Sequence, residues 1–447
     1  MCRFLVYKGS DEILLSKLIL DPKHSILKQS FDSRLRLDTR RGQNNADGFG
    51  IGFYTKKDLG SAPCLFTSTV PAWNCANLQR LATKTASSLI FAHVRATTEG
   101  SLSEDNCHPF CHGSLMWMHN GGLGGWKQIK RRLGARLADK WYLGVGGGTD
   151  SEWAFALFLD TLERMGHNPS SQPEDGFGPT VLRKAMLKTI ALINEMIDDI
   201  PASVVEAENV DTRSLLNFAL TDGHSVVCTR YVGSASDEAA SLYYSSGTLW
   251  ETRAAEPDNP DYHMERSDKG ADVVLVASEP LSFERENWVN VPTNSILTIH
   301  KQSVTVHPIM DQYYDRNPHH RRSTAYTLSS GLHLNVGGSL TPDSSVSSTT
   351  TVPKARTPLS HSEFASDARS TTAAPTSAPR ALHQQTPAQG NIKKKRRSLT
   401  AIESQAAAAA AADDLYQENS PVTPEPSRAE FGNPSKIAQF FPELTLS

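Results

Sequence analysis

The composition of the chain changes sharply near residue 320, and this change limits how much of the sequence can form a folded core. Before that point aromatic and β-branched residues are spread evenly, whereas Ser, Thr, Pro and Ala dominate after it. Segments of the second kind bury too little apolar surface to offset the conformational entropy lost on folding. The sequence therefore predicts one folded domain over residues 2–312 and a long disordered tail over residues 321–434.

The overall charge limits the classes of binding partner that we expect, and the cysteines indicate the redox state of the cellular compartment. The formal net charge is −3, which indicates neither a nucleic-acid-binding nor a membrane-binding surface. The six cysteines are too few and too scattered for a disulfide scaffold, so we expect a reducing compartment and a cytoplasmic protein. The first residues lack the long apolar core of a signal peptide, and the apolar run over residues 13–20 is too short to span a bilayer.

The predicted domain mixes strands and amphipathic helices. Apolar runs predict strands near both of its ends, and the runs at 215–232 and 295–309 are hairpins. The other strand predictions cover residues 2–7, 45–54, 88–98, 114–123, 241–247 and 271–281. Helical periodicity predicts a short helix over residues 11–20 and longer helices over 150–166 and 181–197. Strands at both ends with helices between them indicate an α/β layered fold.

Cys2 becomes a candidate nucleophile once Met1 is removed, which we expect because the second residue is small. Removal leaves an α-amine on the same residue as the thiol, and the reference pKa values of the two groups, about 8 and about 8.5, are close. The amine can therefore take the thiol proton and later return it to a leaving group. Taken alone, Cys2 is far better explained as an ordinary cysteine near the start of a strand, so the nucleophile hypothesis depends on the other motifs.

Three polar loops carry groups that an α-amino acid substrate needs. Arg95 in the segment AHVRATTEG can hold a carboxylate, and Asp150 in GGTDSE can hold an ammonium group. Asn120 and Gly121 in MHNGG can supply a side-chain amide and a backbone N–H, the two donors of an oxyanion hole. The structural alternatives are a surface arginine, an Asn-Gly turn and a helix cap at Thr149 or Asp150, and we expect the cap to be present as well.

In this order, the start MC, NADGFGIGFY, AHVRATTEG with NCHPF, MHNGG and TDSE resemble a class II glutamine amidotransferase domain. The resemblance covers residues 2–300 and implies the four-layer αββα sandwich of the N-terminal nucleophile hydrolases. Within that family the chain looks closest to the fungal amidotransferase-like subunit of the glutathione-degrading complex and to its bacterial relatives. The joint pattern is specific, although no single segment is.

The resemblance implies a role for each matching position. Cys2 is the implied nucleophile, with Asn120 and Gly121 as its oxyanion hole. Arg95 is implied to bind the α-carboxylate of a γ-glutamyl group and Asp150 its α-ammonium. The other implied substrate-binding positions, which line the carboxylate pocket or form the floor beside the nucleophile, are Thr98, Arg41, Asn45 and Asp47.

The expected reaction is acyl transfer without a cofactor, in which the cysteine takes the γ-glutamyl group and water releases glutamate. Many members of the family carry an aromatic residue directly after the arginine, whereas this chain has Ala96, which favours a γ-glutamyl peptide bulkier than glutamine. The resemblance favours a heteromeric complex with a metallopeptidase-like partner that splits glutathione into glutamate and Cys-Gly. A glutaminase subunit that supplies ammonia to a separate synthase and a non-catalytic regulator are the alternatives.

Four further segments have rival interpretations. CHPFCH (107–112) lacks a second pair of ligands, so we favour a shaped loop over a zinc site and predict no metal. The segment 144–150 lacks the Lys-Ser/Thr of a phosphate loop and is expected to form a flexible flap. The basic run at 393–397 is a nuclear localisation signal or, as we favour, a solvated charge run. The apolar segment 435–447 is a sticky end or a partner-docking motif.

Overall fold

The structure is a computed structural model that describes residues 2–31, 45–96, 101–253, 261–266, 270–282, 284–315, 317 and 320–329. Two of the predicted substrate-binding residues, Arg41 and Thr98, lie outside these ranges. The predicted tail from residue 330 onward, with its basic run at 393–397 and its docking segment at 435–447, lies outside them as well. So does Met1, whose removal stays a prediction.

The described parts of the chain contain both strands and helices, mostly in consecutive groups. The strands are β1 (Arg3–Leu14), β2 (Phe49–Phe53), β3 (Cys64–Ser68), β4 (Ala86–Val94), β5 (Phe110–His112), β6 (Leu115–Gly122), β7 (Leu215–Thr221), β8 (Ser225–Arg230), β9 (Tyr243–Gly247), β10 (Leu249–Arg253), β11 (Asp261–Glu265), β12 (Val273–Ala277), β13 (Val289–Asn290), β14 (Ser295–His300) and β15 (Ser303–Pro308). The helices are α1 (Ser16–Ile19), α2 (Ile26–Phe31), α3 (Ala76–Ala82), α4 (Trp126–Arg136), α5 (Asp139–Leu143), α6 (Asp150–Arg164), α7 (Pro179–Asp198), α8 (Ala202–Glu208) and α9 (Ala325–Ser329). Within these ranges, no helix is long and apolar enough to cross a membrane.

The strands form two antiparallel sheets and a separate hairpin. The first sheet has seven strands in the order β13-β9-β12-β1-β4-β2-β3. The second has six in the order β15-β14-β8-β7-β6-β5, and β10 forms a two-stranded sheet with β11. Strand β1 therefore lies in the middle of the first sheet, with β12 on one side and β4 on the other. This position buries the start of the chain between two neighbours that hold it along its length.

Three apolar cores show how the layers stack. One core lies between the two sheets and includes Phe4 and Val6 of β1 together with Met118 of β6. The opposite face of β1, with Leu5 and Tyr7, packs with helices α1, α2 and α3. Helices α4 to α7 cover the outer face of the second sheet. Because side chains alternate between the faces of a strand, a strand with cores on both sides reads as a continuous apolar run. The structure thus confirms a mixed α/β fold built on two antiparallel sheets.

One predicted element is wrong in part, and the reason is tertiary. The segment 11–20 was expected to be helical, but β1 continues to Leu14 and only Ser16–Ile19 form a helix. After an irregularity in the ladder, Ile13 and Leu14 pair with the first residues of β4. The partner strand supplies backbone hydrogen bonds that the local apolar spacing cannot show. The other predicted strands, both hairpins and the two long helices are confirmed.

Ordered structure also continues past residue 312, the predicted end of the domain. Ser323 forms an isolated β-bridge with Asp237, and α9 follows it. Arg322 donates from Nη2 to the backbone oxygen of Tyr313 at 2.6 Å. The first residues of the predicted tail are therefore attached to the domain by backbone and side-chain hydrogen bonds.

Candidate active site

Cys2 lies at the start of β1, beside the end of β4. The antiparallel register places Arg3 opposite Val94, so Cys2 lies next to Arg95 and Ala96 where β4 ends. The backbone N–H of Ala96 donates to Cys2 Sγ at 3.5 Å, and Sγ is 3.6 Å from the backbone oxygen of Ala96. The thiol is half-buried. An N–H group directed at the sulfur stabilises negative charge on it, as a nucleophilic thiolate requires.

A buried ion pair holds the backbone of the candidate nucleophile. Arg3 donates from Nη1 to the backbone oxygen of Cys2 at 2.9 Å, and its Nε pairs with Glu279 Oε1 at 2.5 Å. The side chains of Arg3 and Glu279 are 3% and 5% exposed, and His24 Nε2 lies 3.5 Å from Glu279 Oε2. Removing one partner of such a pair leaves an uncompensated buried charge. No motif in the sequence indicates this pair, because Arg3 and Glu279 are far apart along the chain.

Arg95 lies at the end of β4 and is 3% exposed. Its Nη1 donates to the backbone oxygen of Ser101 at 3.3 Å. Its backbone joins the NADG segment, since Arg95 N donates to Gly48 O at 2.8 Å and Asp47 N donates to Arg95 O at 3.2 Å. Asn45 in the same segment is fully buried and donates from its backbone to Ser30 O in α2. The backbone of the segment that contains Asn45 and Asp47 thus pairs with Arg95, the residue before the Ala96 that contacts Cys2.

Asn120 reaches the same region from the second sheet. Its side chain is buried near the end of β6, and its Nδ2 donates to Ser278 Oγ at 3.2 Å. The backbone N–H of Phe4 donates to the same hydroxyl at 3.1 Å. Because Phe4 lies two residues after Cys2, the Ser278 hydroxyl connects the Asn120 amide to the strand that carries the nucleophile. Ser278 follows β12, and no motif in the sequence identified it.

Gly121 and Asp150 lie where the chain leaves β6. A Cβ atom on Gly121 would lie 1.8 Å from the backbone oxygen of Leu215 in β7, so only glycine fits there. Asp150, the first residue of α6, accepts from the backbone N–H of Leu123 at 2.8 Å through Oδ2. Its carboxylate also lies at a helix N-terminus, where negative charge is favoured. The structure therefore holds the Asp150 carboxylate against the chain just after Asn120 and Gly121.

The helix cap that the sequence predicts at Thr149 or Asp150 is confirmed in its position but not in its side-chain hydrogen bond. Thr149 is the N-cap residue of α6, but its side chain accepts no capping hydrogen bond. Its buried Oγ1 has no hydrogen-bond partner among the described residues. The Asp150 carboxylate binds the Leu123 N–H from another element instead of an N–H of its own helix. A tertiary contact has replaced the local cap.

The glycine segment that was predicted as a flap is attached to its surroundings at three N–H groups. Gly146 and Gly147 donate to the two carboxylate oxygens of Glu152 at 2.9 Å and 2.6 Å. Gly148 donates to Asn106 Oδ1 at 3.0 Å. Burial raises the pKa of Glu152, and the two N–H donors oppose that rise. The segment before Asp150 is thus connected both to α6 and to the loop that contains Asn106.

The CHPFCH segment packs against β2. Cys107 and His108 are buried while Cys111 is exposed, so the two cysteines face different surroundings. A Cβ atom on Gly50 would lie 2.1 Å from the backbone oxygen of His108, which explains a glycine in the middle of β2. In the part of the chain that the structure describes, the side chains close enough together to hold a metal ion belong to a different element. They are Glu251, His263 and Glu265 on the β10–β11 hairpin.

Three buried histidines lie behind these loops. His93 Nε2 is 3.2 Å from the backbone oxygen of His119, and the rings of His93 and His108 are 4.1 Å apart. His119 Nδ1 lies 2.9 Å from Ser151 Oγ, which links β6 to α6. Burial lowers the pKa of all three imidazoles, to about 3 for His93. The three rings are therefore neutral near pH 7, and they serve packing and hydrogen bonding rather than proton donation.

We expect acid to destabilise the folded chain through these histidines. Their pKa is lower in the folded than in the unfolded state, so below about pH 6.5 the unfolded state binds more protons and the free energy of unfolding falls. Each such histidine contributes up to about 1.4 kcal/mol per pH unit in that window. Urea unfolding at a series of pH values measures the slope.

Two variants locate the source of the acid effect. His108→Phe keeps an aromatic ring beside His93 and removes one titrating group, so we expect a shallower slope. His307→Gln removes an exposed histidine and should leave the slope unchanged. An equal slope in His108→Phe and the unsubstituted chain would contradict the assignment.

Sequence comparisons place the chain among known proteins. The family described as class II glutamine amidotransferases matches residues 23–194. The probable glutamine amidotransferase DUG3 of Saccharomyces cerevisiae is 51% identical over 334 residues, which cover 74% of this chain and 91% of that protein. The γ-glutamyl-hercynylcysteine sulfoxide hydrolase of Mycobacterium tuberculosis is 34% identical over 122 residues, 27% of this chain and 49% of that protein. The match thus spans about half of the mycobacterial protein.

Solved structures include distant likenesses. A glutamine aminotransferase class-II domain protein from Silicibacter pomeroyi has a TM-score of 0.42 and 22% identity, covering 69% of this chain and 99% of that one. The glutamine phosphoribosylpyrophosphate amidotransferase from B. subtilis has a TM-score of 0.42 and 16% identity, covering 69% of this chain and 49% of that one. The family assignment rests on the sequence identity to the yeast protein, which extends over nearly all of its length. The chain belongs to the class II glutamine amidotransferases.

Proposed function

We propose that the chain hydrolyses γ-glutamyl amide bonds through a thioester on Cys2, and that its substrate is glutathione, which it splits into glutamate and Cys-Gly. The observation that carries the proposal is the position of the Cys2 thiol. Sγ accepts from the Ala96 N–H beside Arg95, and the Asn120 amide is joined to the same strand through Ser278. These contacts support the proposal that a nucleophile, a carboxylate-binding cation and an oxyanion donor act together at one end of β1.

Binding begins with charge recognition at the two ends of the glutamyl group. The Arg95 guanidinium holds the α-carboxylate and the Asp150 carboxylate holds the α-ammonium, which places the γ-carbonyl carbon near Cys2. Arg95 is buried, so its charge acts on a bound carboxylate with little screening by water. Fixing both ends of the substrate converts the attack into a step between groups that are already oriented.

The chemical steps then follow from the groups present. After removal of Met1 the α-amine of Cys2 takes the thiol proton, and the thiolate attacks the γ-carbonyl carbon. Negative charge develops on the carbonyl oxygen and is stabilised by the Asn120 amide and the Gly121 N–H. When the C–N bond breaks, the α-ammonium returns its proton to the departing amine. Water attacks the thioester, releases glutamate and restores the thiol.

Two observations support a leaving group larger than ammonia. The side chain beside Arg95 is the methyl group of Ala96, which leaves room next to the γ-carbonyl. The name of the mycobacterial relative denotes a hydrolase of a γ-glutamyl compound larger than glutamine.

The helix–sheet–sheet–helix arrangement supports the N-terminal nucleophile hydrolase interpretation of the fold. We further propose that the chain works in a heteromeric complex with a metallopeptidase-like subunit, docked through residues 435–447.

A substrate comparison tests this proposal. The chain with Met1 removed, verified by intact mass, is incubated with glutathione or glutamine, with and without the candidate metallopeptidase-like partner. We expect glutamate and Cys-Gly in equal amounts and a kcat/KM for glutathione at least about tenfold above that for glutamine. Ammonia release from glutamine with little turnover of glutathione would instead identify a glutaminase subunit. Absence of turnover of both substrates in the complex would identify a regulator.

A further inference from the structure

In the Asn120 side-chain amide, the nitrogen is hydrogen-bonded to the protein and the oxygen is not. Nδ2 donates to Ser278 Oγ at 3.2 Å, whereas the buried Oδ1 has no hydrogen-bond partner among the described residues. An unpaired oxygen in a buried side chain costs free energy, so such an atom calls for an explanation. The unpaired atom is thus the amide oxygen, and the amide nitrogen is the bound one.

The Ser278 hydroxyl accepts hydrogen bonds but has no acceptor for its own proton. Its oxygen accepts from the Phe4 N–H at 3.1 Å and from Asn120, which occupies both of its lone pairs. Its own proton has no acceptor in the described parts of the chain. Around it the backbone is fixed, because Ser278 N donates to Phe4 O at 3.0 Å and Ser241 Oγ donates to Ser278 O at 3.0 Å. The hydroxyl proton is thus a donor held in place beside the amide.

Rotating the Asn120 side-chain amide by 180° gives both unpaired groups, the Asn120 oxygen and the Ser278 hydroxyl proton, a hydrogen-bond partner. The two ends of an asparagine amide have nearly the same shape, so a rotation of 180° exchanges them without moving other atoms. Ser278 then donates its proton to Asn120 Oδ1, while its oxygen still accepts from Phe4. The Asn120 NH₂ group moves to the end that has no protein partner, where both of its hydrogens can bind an oxygen of a substrate.

We propose that Ser278 is a positioning residue for the oxyanion hole: its hydroxyl donates to Asn120 Oδ1 and thereby presents the Asn120 NH₂ group to the substrate carbonyl. The inference rests on the proposed function, in which Asn120 stabilises the oxyanion. Without the hydroxyl the amide loses its orientation, and an amide oxygen facing the oxyanion repels it. The consequence falls on the transition state, where the charge develops, more than on substrate binding.

A double-mutant cycle tests the inference in the full chain with Met1 removed, together with its partner if turnover requires it. We expect Ser278→Ala to lower kcat about tenfold or more and to change KM by less than about threefold. In an Asn120→Ala background the same substitution should cost nothing further, because the two residues act as one unit. Ser245→Ala is the matched control, since it removes a buried hydroxyl of β9 that has no hydrogen-bond partner among the described residues, and it should leave kcat unchanged.

The outcomes separate the inference from the proposed function. A wild-type kcat in Ser278→Ala, or an equal loss in the Asn120→Ala background, would overturn the inference and leave the proposed function standing. An unchanged kcat in Asn120→Ala itself would remove both the oxyanion assignment and the inference. Thermal unfolding checks that each variant folds. If Ser278→Ala does not, Ser278→Cys takes its place in the cycle, because a thiol keeps the shape and is only a weak donor.

Discussion

In the Cys2→Ala variant we expect the release of glutamate from glutathione to fall by at least about a thousandfold, with the fold and the substrate affinity retained. Alanine is as small as cysteine, so Met1 is removed in the variant as well and the α-amine remains. What is lost is the sulfur that the Ala96 N–H contacts at 3.5 Å, and with it the covalent intermediate. Initial rates with saturating glutathione measure the effect.

A second cysteine provides the control for this experiment. Cys64 in β3 is exposed, and Cys64→Ala should leave the rate unchanged. Quenching the unsubstituted chain with acid during turnover should also show a γ-glutamyl adduct by mass, and the adduct should be missing from Cys2→Ala. Substantial glutamate release by the alanine variant would rule out Cys2 as the nucleophile and would point to direct attack by water.

The Gly121→Ala variant should lose kcat by about a hundredfold or more, since one oxyanion donor contributes an effect of that size. The added methyl group would lie 1.8 Å from the backbone oxygen of Leu215 and 2.6 Å from its carbonyl carbon. Both are atoms of a paired strand, so β6 must move away from β7 to relieve the contact. That movement displaces the Gly121 N–H and the neighbouring Asn120 amide. Turnover rates and the midpoint of thermal unfolding measure the two consequences.

Gly148→Ala is the matched control for this substitution. A Cβ atom on Gly148 has no neighbour within 4 Å, although the residue lies two positions before Asp150. We therefore expect nearly unchanged turnover and stability. Full activity in Gly121→Ala would show that the strands tolerate the methyl group and that the Gly121 N–H does not bind the developing oxyanion.

Much of the fold follows from patterns within single segments. The alternation in NADGFGIGFY predicts β2, and the Asp222–Gly223 turn predicts the β7–β8 hairpin, because strand faces and tight turns depend on residues that are near one another in the chain. The helices at 150–166 and 181–197 follow from their apolar spacing. For the segment 11–14 the apolar spacing wrongly predicts a helix, because pairing of Ile13 and Leu14 with β4 outweighs the local helical pattern.

In the candidate site, too, short sequence motifs predict some features and tertiary contacts decide others. Short motifs and the resemblance to the family predict the site residues Cys2, Arg95, Asn120, Gly121 and Asp150. The structure places them at the ends of β1, β4, β6 and α6. Their catalytic roles stay predictions. The side-chain hydrogen bond of the predicted cap at the start of α6 is not formed for a tertiary reason, because the Asp150 carboxylate binds the N–H of Leu123. A local rule for helix ends cannot anticipate a donor from the loop after β6.

The sequence by itself determined the chemistry that is available: a cysteine that can become the first residue, a cation and an anion for an α-amino acid, and two oxyanion donors. The tertiary structure alone decided how those groups are supported. Ser278 lies 158 residues from the Asn120 amide that it contacts, and Glu279 lies 276 residues from Arg3. Such partners meet only because β12 and β4 pair on either side of β1 while the second sheet packs against the first. Strand order and sheet packing are properties of the whole chain, so no single segment encodes them.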